Sequence, residues 1–204
     1  TKTKYLKGLQ CPKYLWEVQN NNFSSYNIIS SFFFNQGIEV HNIAKELFPS
    51  GDEVKANSFE QHLIESQFAL SQRTPIFEAG FEFNNCYARA DILIPKGKNQ
   101  WDLIEVKSST KIKKGYYDDL TFQKYCLENS GLNIDKCYIM HINNEYIRQG
   151  KINLDELFIQ EDVTSEINTK LNNIENLIKE IMLVMNSSSS PDIDIGNHCK
   201  RPRN

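Results

Sequence analysis

Apolar positions recur with two different periods along the chain, and the change of period divides it into three parts. Toward the C-terminus, Val163, Ile167, Leu171, Ile174, Ile178, Ile181 and Met185 are spaced three and four apart. That spacing predicts one long helix burying a single stripe, stopped by Ser187–Ser190 and Pro191, and the stripe reads as core packing rather than a partner site. The first part is also helical. Cys11-Pro12 precedes a short helix with proline in its first turn, and Phe32 to Leu47 reads as a second helix, entered or interrupted near Gly37 and closed by Phe48-Pro49-Ser50-Gly51. A third helix runs from Ser58, with Gln61 completing a capping box, to about Arg73.

Between these parts the period changes and the apolar residues fall in short runs. Ile76–Phe83, Cys86–Ile94 and Trp101–Val106 are rich in branched and aromatic residues, and are separated by Asn84-Asn85 and by Pro95–Asn99. They predict a three-stranded antiparallel meander. A helix over Tyr117–Glu128, ended by Ser130-Gly131, and a strand over Lys136–Asn143 follow. The order predicts an α/β fold, a mixed sheet flanked by helices. We read residues 1–204 as a single domain with a helical part over 1–75, a sheet core over 76–160, and a C-terminal helix and tail from 161.

Composition narrows the class only a little. The 204 residues are 40% hydrophobic and 24% charged, as for an ordinary packed domain. The longest apolar run, Ile181 to Met185, is far below the roughly 18 residues that span a bilayer, so no membrane partner is expected. A net charge of -3 excludes nucleic-acid binding by bulk charge, so a polyanion site has to come from local clustering such as that of Lys107, Lys111, Lys113 and Lys114. Five cysteines at wide spacings make a poor disulfide framework and favour a reducing, cytoplasmic setting. Cys86, Cys126 and Cys137 read as small buried hydrophobes, and His62 and His141 as structural residues.

The chemistry gathers at the meander. In Trp101-Asp102-Leu103-Ile104-Glu105-Val106-Lys107 the side chains alternate, so Glu105 and Lys107 share a face with Trp101 and Leu103. Antiparallel pairing can bring Asp91, on the preceding strand where the meander turns back, beside Glu105. Two carboxylates and the Val106 carbonyl are hard oxygen donors suited to Mg²⁺ or Mn²⁺, and Lys107 could stabilise an anionic transition state. The plainer alternative makes Glu105 and Lys107 a same-face surface pair and Asp91 the start of a turn.

Asp91 followed fourteen positions later by Glu105-Val106-Lys107 resembles the signature of the PD-(D/E)XK nucleases. The wider layout resembles their RecB-like branch, including the CRISPR-associated four-cysteine exonucleases. Gly37-Ile38-Glu39-Val40-His41 stands where that branch has a histidine on an N-terminal helix, Glu78 stands on the strand before the aspartate, and Gln123 on the helix after the lysine. The resemblance implies a restriction-endonuclease-like core and divalent-metal-dependent cleavage of DNA, usually from an end. It implies that His41, Asp91, Glu105 and the Val106 carbonyl hold the metal and that Lys107 is catalytic. Gln123 would position Lys107 or substrate, and Glu78 would be a supporting or alternative metal carboxylate. Cys11 and Cys199 resemble two of the four cysteines of a 4Fe-4S cluster. With only five residues after Cys199, such a cluster is expected only in a longer protein of which this chain is a piece.

Lys111, Lys113 and Lys114 are by default a solvated face, but beside a metal site they would grip a DNA backbone, with Tyr116 and Tyr117 placed to stack on unpaired bases. No small-molecule cofactor beyond the metal is implied. The leading expectation is a metal-dependent DNA exonuclease in repair, recombination or defence. Its rivals are a non-catalytic DNA-binding or interaction module that keeps the fold, and an RNA-processing nuclease.

Overall fold

A computed structural model describes residues 1–21 and 28–200. Its elements in chain order are α1 (Lys2–Gln10), α2 (Pro12–Asn20), α3 (Ile28–Lys45), β1 (Asp52–Glu53), α4 (Phe59–Gln72), β2 (Ile76–Phe83), β3 (Cys86–Lys96) and β4 (Gln100–Lys107). There follow α5 (Lys114–Asn129), β5 (Asn133–Ile142), α6 (Leu154–Leu157), β6 (Phe158–Asp162), α7 (Thr164–Leu171), α8 (Ile174–Asn186) and α9 (Asn197–Lys200). The fold is α/β, as expected. Six strands form one mixed sheet in sequential order, antiparallel from β2 to β4 and from β5 to β6, parallel from β1 to β2 and from β4 to β5. The order helix, three-stranded meander, helix, parallel strand gives a mixed sheet flanked by helices.

The alternation along β4 decides what each face of the sheet meets. Trp101 and Leu103 join Leu120, Leu127, Ile139, Ile167 and Ile178 in the larger core, beneath α5, α7 and α8. Ile104 and Val106 point the other way, into a smaller core with Ala44 of α3, Phe77, Ile92 and Met140. At roughly 25 cal/mol per Å² of apolar surface removed from water, these two cores dominate the stabilisation of the sheet.

The expected capping box at α4 is half present. Ser58 Oγ accepts from the Gln61 N–H at 3.1 Å, while Gln61 Oε1 accepts from the backbone of Asn57 rather than Ser58. The single C-terminal helix needs correction: Asn172-Asn173 divides it into α7 and α8. The stripe survives the break because Ile167, Ile174, Ile178 and Ile181 all reach the same core, and period alone cannot report a two-residue interruption. Asp91 is on a strand as expected, against the plainer alternative. It lies inside β3, which continues to Lys96, and does not begin a turn.

Candidate active site

Strand register brings the acids into line. β3 pairs with β4 through Ile92 and Ile104, so the next position sets Asp91 beside Glu105. β2 pairs with β3 through Phe77 with Ile92 and Ala79 with Ala90, which leaves Glu78 facing Asp91. Three carboxylates thus lie in a row across β2, β3 and β4. Glu78 holds φ 61, a left-handed conformation rare for a residue with a side chain. Such backbone costs on the order of 1–3 kcal/mol and collects where a side chain is needed in a particular direction.

Two sets of cations converge on this row. From α3, His41 reaches Asp91 Oδ2 through Nε2 at 2.8 Å and Glu78 Oε1 through Nδ1 at 3.3 Å. Burial opposes the imidazolium, but these two carboxylates outweigh it and push His41 up to about 10, so both ring nitrogens donate. Burial would also raise Glu78, yet His41, Arg89 and Lys45 hold it down to about 2. Asp91 is likewise held below the usual carboxylate range: against burial stand His41, Lys2 and Lys107. Its Oδ2 also accepts the Val106 N–H at 2.8 Å, which locks the acid to β4.

Glu105 anchors the second set. Its Oε1 accepts from Lys107 at 2.5 Å and from Lys2 at 3.0 Å, and its Oε2 from Gln123 Nε2 at 2.6 Å. Burial and the Asp91 charge would raise its pKa, and Lys107, Lys2 and Gln123 together lower it. Burial disfavours the Lys107 ammonium, but Glu105 and Asp119 more than compensate and keep it charged. Asp119, which the sequence did not single out, accepts from Lys107 at 2.7 Å, from Gln123 at 2.9 Å and lies 3.2 Å from Lys2. Asp119 and Gln123 are four apart on α5 and so share the helix face turned toward β4; that spacing was the available signal. Lys2 gave no signal, because α1 was not anticipated.

An open cleft of about 700 Å³ exposes this cluster, lined by His41, Glu78, Asp91, Glu105, Val106, Lys107 and Lys2. Phe34 and Tyr116 stand at its walls, Phe34 largely exposed and Tyr116 4.9 Å beneath the Lys107 ammonium. Tyr117 is half-buried against the larger core and is not among the residues lining the cleft. Lys111, Lys113 and Lys114 are exposed on the approach to α5, with Lys113 as its N-cap.

Two carboxylates, an imidazole and a carbonyl have the chemistry of a hard-cation site. Their arrangement is different: among the described residues, no three His, Cys, Asp or Glu side chains are grouped to hold an ion. The oxygens of Glu105 are engaged by the chain's own ammonium and amide groups instead. Cys11 and Cys199, set aside by resemblance for an iron-sulfur cluster, are joined in a disulfide across 188 residues, their Cα atoms 5.1 Å apart, as the α1–α2 corner meets the C-terminal segment. The expectation that the cysteines lack a disulfide is corrected for this pair, while Cys86, Cys126 and Cys137 are buried free thiols. His62 and His141 are structural, bonded to Tyr87 and Glu161. No helix among the described residues is long and apolar enough to cross a membrane.

No protein-family model matches the chain, and no curated protein matches its sequence. Among solved structures, the chain is similar to an alkaline exonuclease from Laribacter hongkongensis, at 14% identity and a TM-score of 0.39, over 83% of this chain and 79% of that one. A likeness so remote leaves function to be argued from the side chains above.

Proposed function

We propose that this cleft cleaves phosphodiester bonds, and that the chain is a divalent-metal-dependent DNA nuclease acting from an end. The observation that carries the reading is the row of Glu78, Asp91 and Glu105 across three strands, with Lys107 and His41 charged beside it at the floor of an open cleft. Structural ion pairs have no need of a cleft, nor of a left-handed glutamate.

Asp91, Glu105 and the Val106 carbonyl would hold Mg²⁺ or Mn²⁺, with His41 joining them once its imidazolium gives up a proton, and the ion's contribution when bound would be to neutralise charge on the scissile phosphate. The chain's own residues do the rest. Lys107, fixed by Asp119 and Glu105, presents an ammonium to the phosphate oxygens where negative charge builds. Gln123 donates to both acids that hold Lys107 and keeps them aligned. His41 draws Asp91 and Glu78 together. Phe34 and Tyr116 offer ring faces at the cleft walls for unpaired bases, and Lys111, Lys113 and Lys114 offer charge to the strand beyond.

The test is degradation of end-labelled single- and double-stranded DNA, and of RNA, with Mn²⁺, Mg²⁺ or EDTA. Metal-dependent loss of DNA from one end, absent in Asp91→Ala and Lys107→Ala, is expected. DNA bound but intact under every condition would make the chain a binding module, and cleavage confined to RNA would move it to RNA processing.

A further inference from the structure

Glu105 and Asp119 are each bridged twice, by ammonium groups carried on two different elements. Lys107, from the same strand as Glu105, already spans the two acids at 2.5 and 2.7 Å. Lys2 repeats the span at 3.0 and 3.2 Å from another element, α1, and its side chain is 30% exposed at the cleft against 17% for Lys107. Helix α1 has other contacts that hold its place. Tyr5 stacks on Phe122 with ring centroids 4.8 Å apart, and Gly8 lies so close to α8 that an added Cβ would stand 2.6 Å from Ile181.

Charge makes the repetition meaningful. Glu78, Asp91, Glu105 and Asp119 face Lys2, Lys107, the His41 imidazolium and Arg89, and Lys45 is matched by Glu53, so the cluster is balanced with no ion in it. A divalent ion entering a balanced set meets repulsion unless a cation withdraws. Lys2, His41 and Lys107 are each held by two carboxylates, and of the three side chains Lys2 is the most exposed, 30% against 23% and 17%, so it is the one placed to keep Asp119 while releasing Glu105.

We propose that Lys2 is an exchangeable counter-ion of the site: its ammonium occupies Glu105 when no divalent ion is bound, yields it when one enters, and so sets the affinity for that ion. The proposal rests on reading Asp91 and Glu105 as ion-holding residues, and deepens it by adding a residue that competes for them.

Calorimetric titration of MnCl₂ into the metal-free 204-residue chain tests it, with wild type, Lys2→Ala, Lys2→Met, Lys2→Arg and Lys4→Ala compared. Removing the competing charge should tighten Mn²⁺ binding by about tenfold in Lys2→Ala and in Lys2→Met, which keeps the apolar stem. Lys2→Arg should stay near wild type. So should Lys4→Ala, whose side chain lies on the same helix beside Tyr5 and Cys86, away from the cleft. Circular dichroism establishes that each variant is folded. Unchanged or weaker binding in both Lys2→Ala and Lys2→Met would overturn the proposal, as would silence from every protein. The nuclease reading fails separately: tighter Mn²⁺ binding with no cleavage of DNA by any variant would leave the counter-ion standing and remove the enzyme.

Discussion

Asp102 and Glu105 lie three positions apart on β4, both almost closed to solvent at 4% and 1% exposure, yet their surroundings differ in kind. Asp102 has one cation, the half-exposed Lys96 at 3.4 Å, and its Oδ1 has no partner among the described residues. Burial pushes its carboxyl above the usual range. Glu105 is met from α1, from α5 and from its own strand, and is held ionised despite deeper burial. Burial alone therefore does not mark a site. Convergence of groups from separate elements on one acid does, because each such group must be carried there by the fold.

The largest effects should fall on one side of that comparison. Glu105→Gln or Lys107→Ala should lower DNA cleavage by about 10²- to 10⁴-fold, the span seen when a positioned acid, base or charge stabiliser is removed. Asp102→Asn should cleave within about twofold of wild type, as read from degradation of an end-labelled strand. Next comes Asp119→Asn. Lys107 keeps Glu105 but loses its other carboxylate, so kcat should drop by roughly tenfold with KM little changed, a split that steady-state kinetics resolves.

A pH series sharpens the contrast without catalysis. His41 rises from 6.5 to about 10 on folding, so its stabilising contribution is complete below 6.5 and is lost as pH climbs toward 10. Glu78 falls from 4.5 to about 2, so its contribution is complete above 4.5 and is lost as pH falls toward 2. In EDTA, the urea midpoint of the wild type should decline between pH 6.5 and 10, and His41→Ala should remove most of that decline. The smallest effects are in stability alone. Asp102→Asn should change unfolding free energy by no more than about 1 kcal/mol. Glu78→Gly should be more stable than Glu78→Ala by about 1 kcal/mol, because glycine relieves the left-handed backbone. Equal midpoints for those two variants would remove strain from the account.

What could be read from the chain follows from which signals are local. The meander was legible because Ile76–Phe83 is rich in branched and aromatic residues and Asn84-Asn85 supplies two left-handed turn residues at φ 47 and 61. β6 was not, since of Phe158–Asp162 only Phe158 is buried and five residues with one inward side chain carry no period. Asp91, Glu105, Lys107, His41, Glu78 and Gln123 were singled out, and all line or contact one cluster. Their arrangement was only half legible: the facing of Asp91 and Glu105 is a matter of register, but the engagement of Glu105 by Lys2 depends on where α1 docks. That docking is decided by Gly8 against Ile181 and Tyr5 against Phe122, contacts across long separations that no local pattern announces. Asp119 was hidden for a simpler reason, since beside Asp118 it reads as a solvated helix face until the sheet is placed beneath it.

The central claim is that the convergence on Glu105, and not burial of acid on β4, makes the site. Side-by-side cleavage of an end-labelled single strand in Mn²⁺ by wild type, Glu105→Gln and Asp102→Asn, each verified as folded by circular dichroism, addresses it most directly. Wild type and Asp102→Asn should degrade the strand alike, and Glu105→Gln should leave it intact. Equal activity in Glu105→Gln and wild type, or loss of activity in both variants, would contradict that claim.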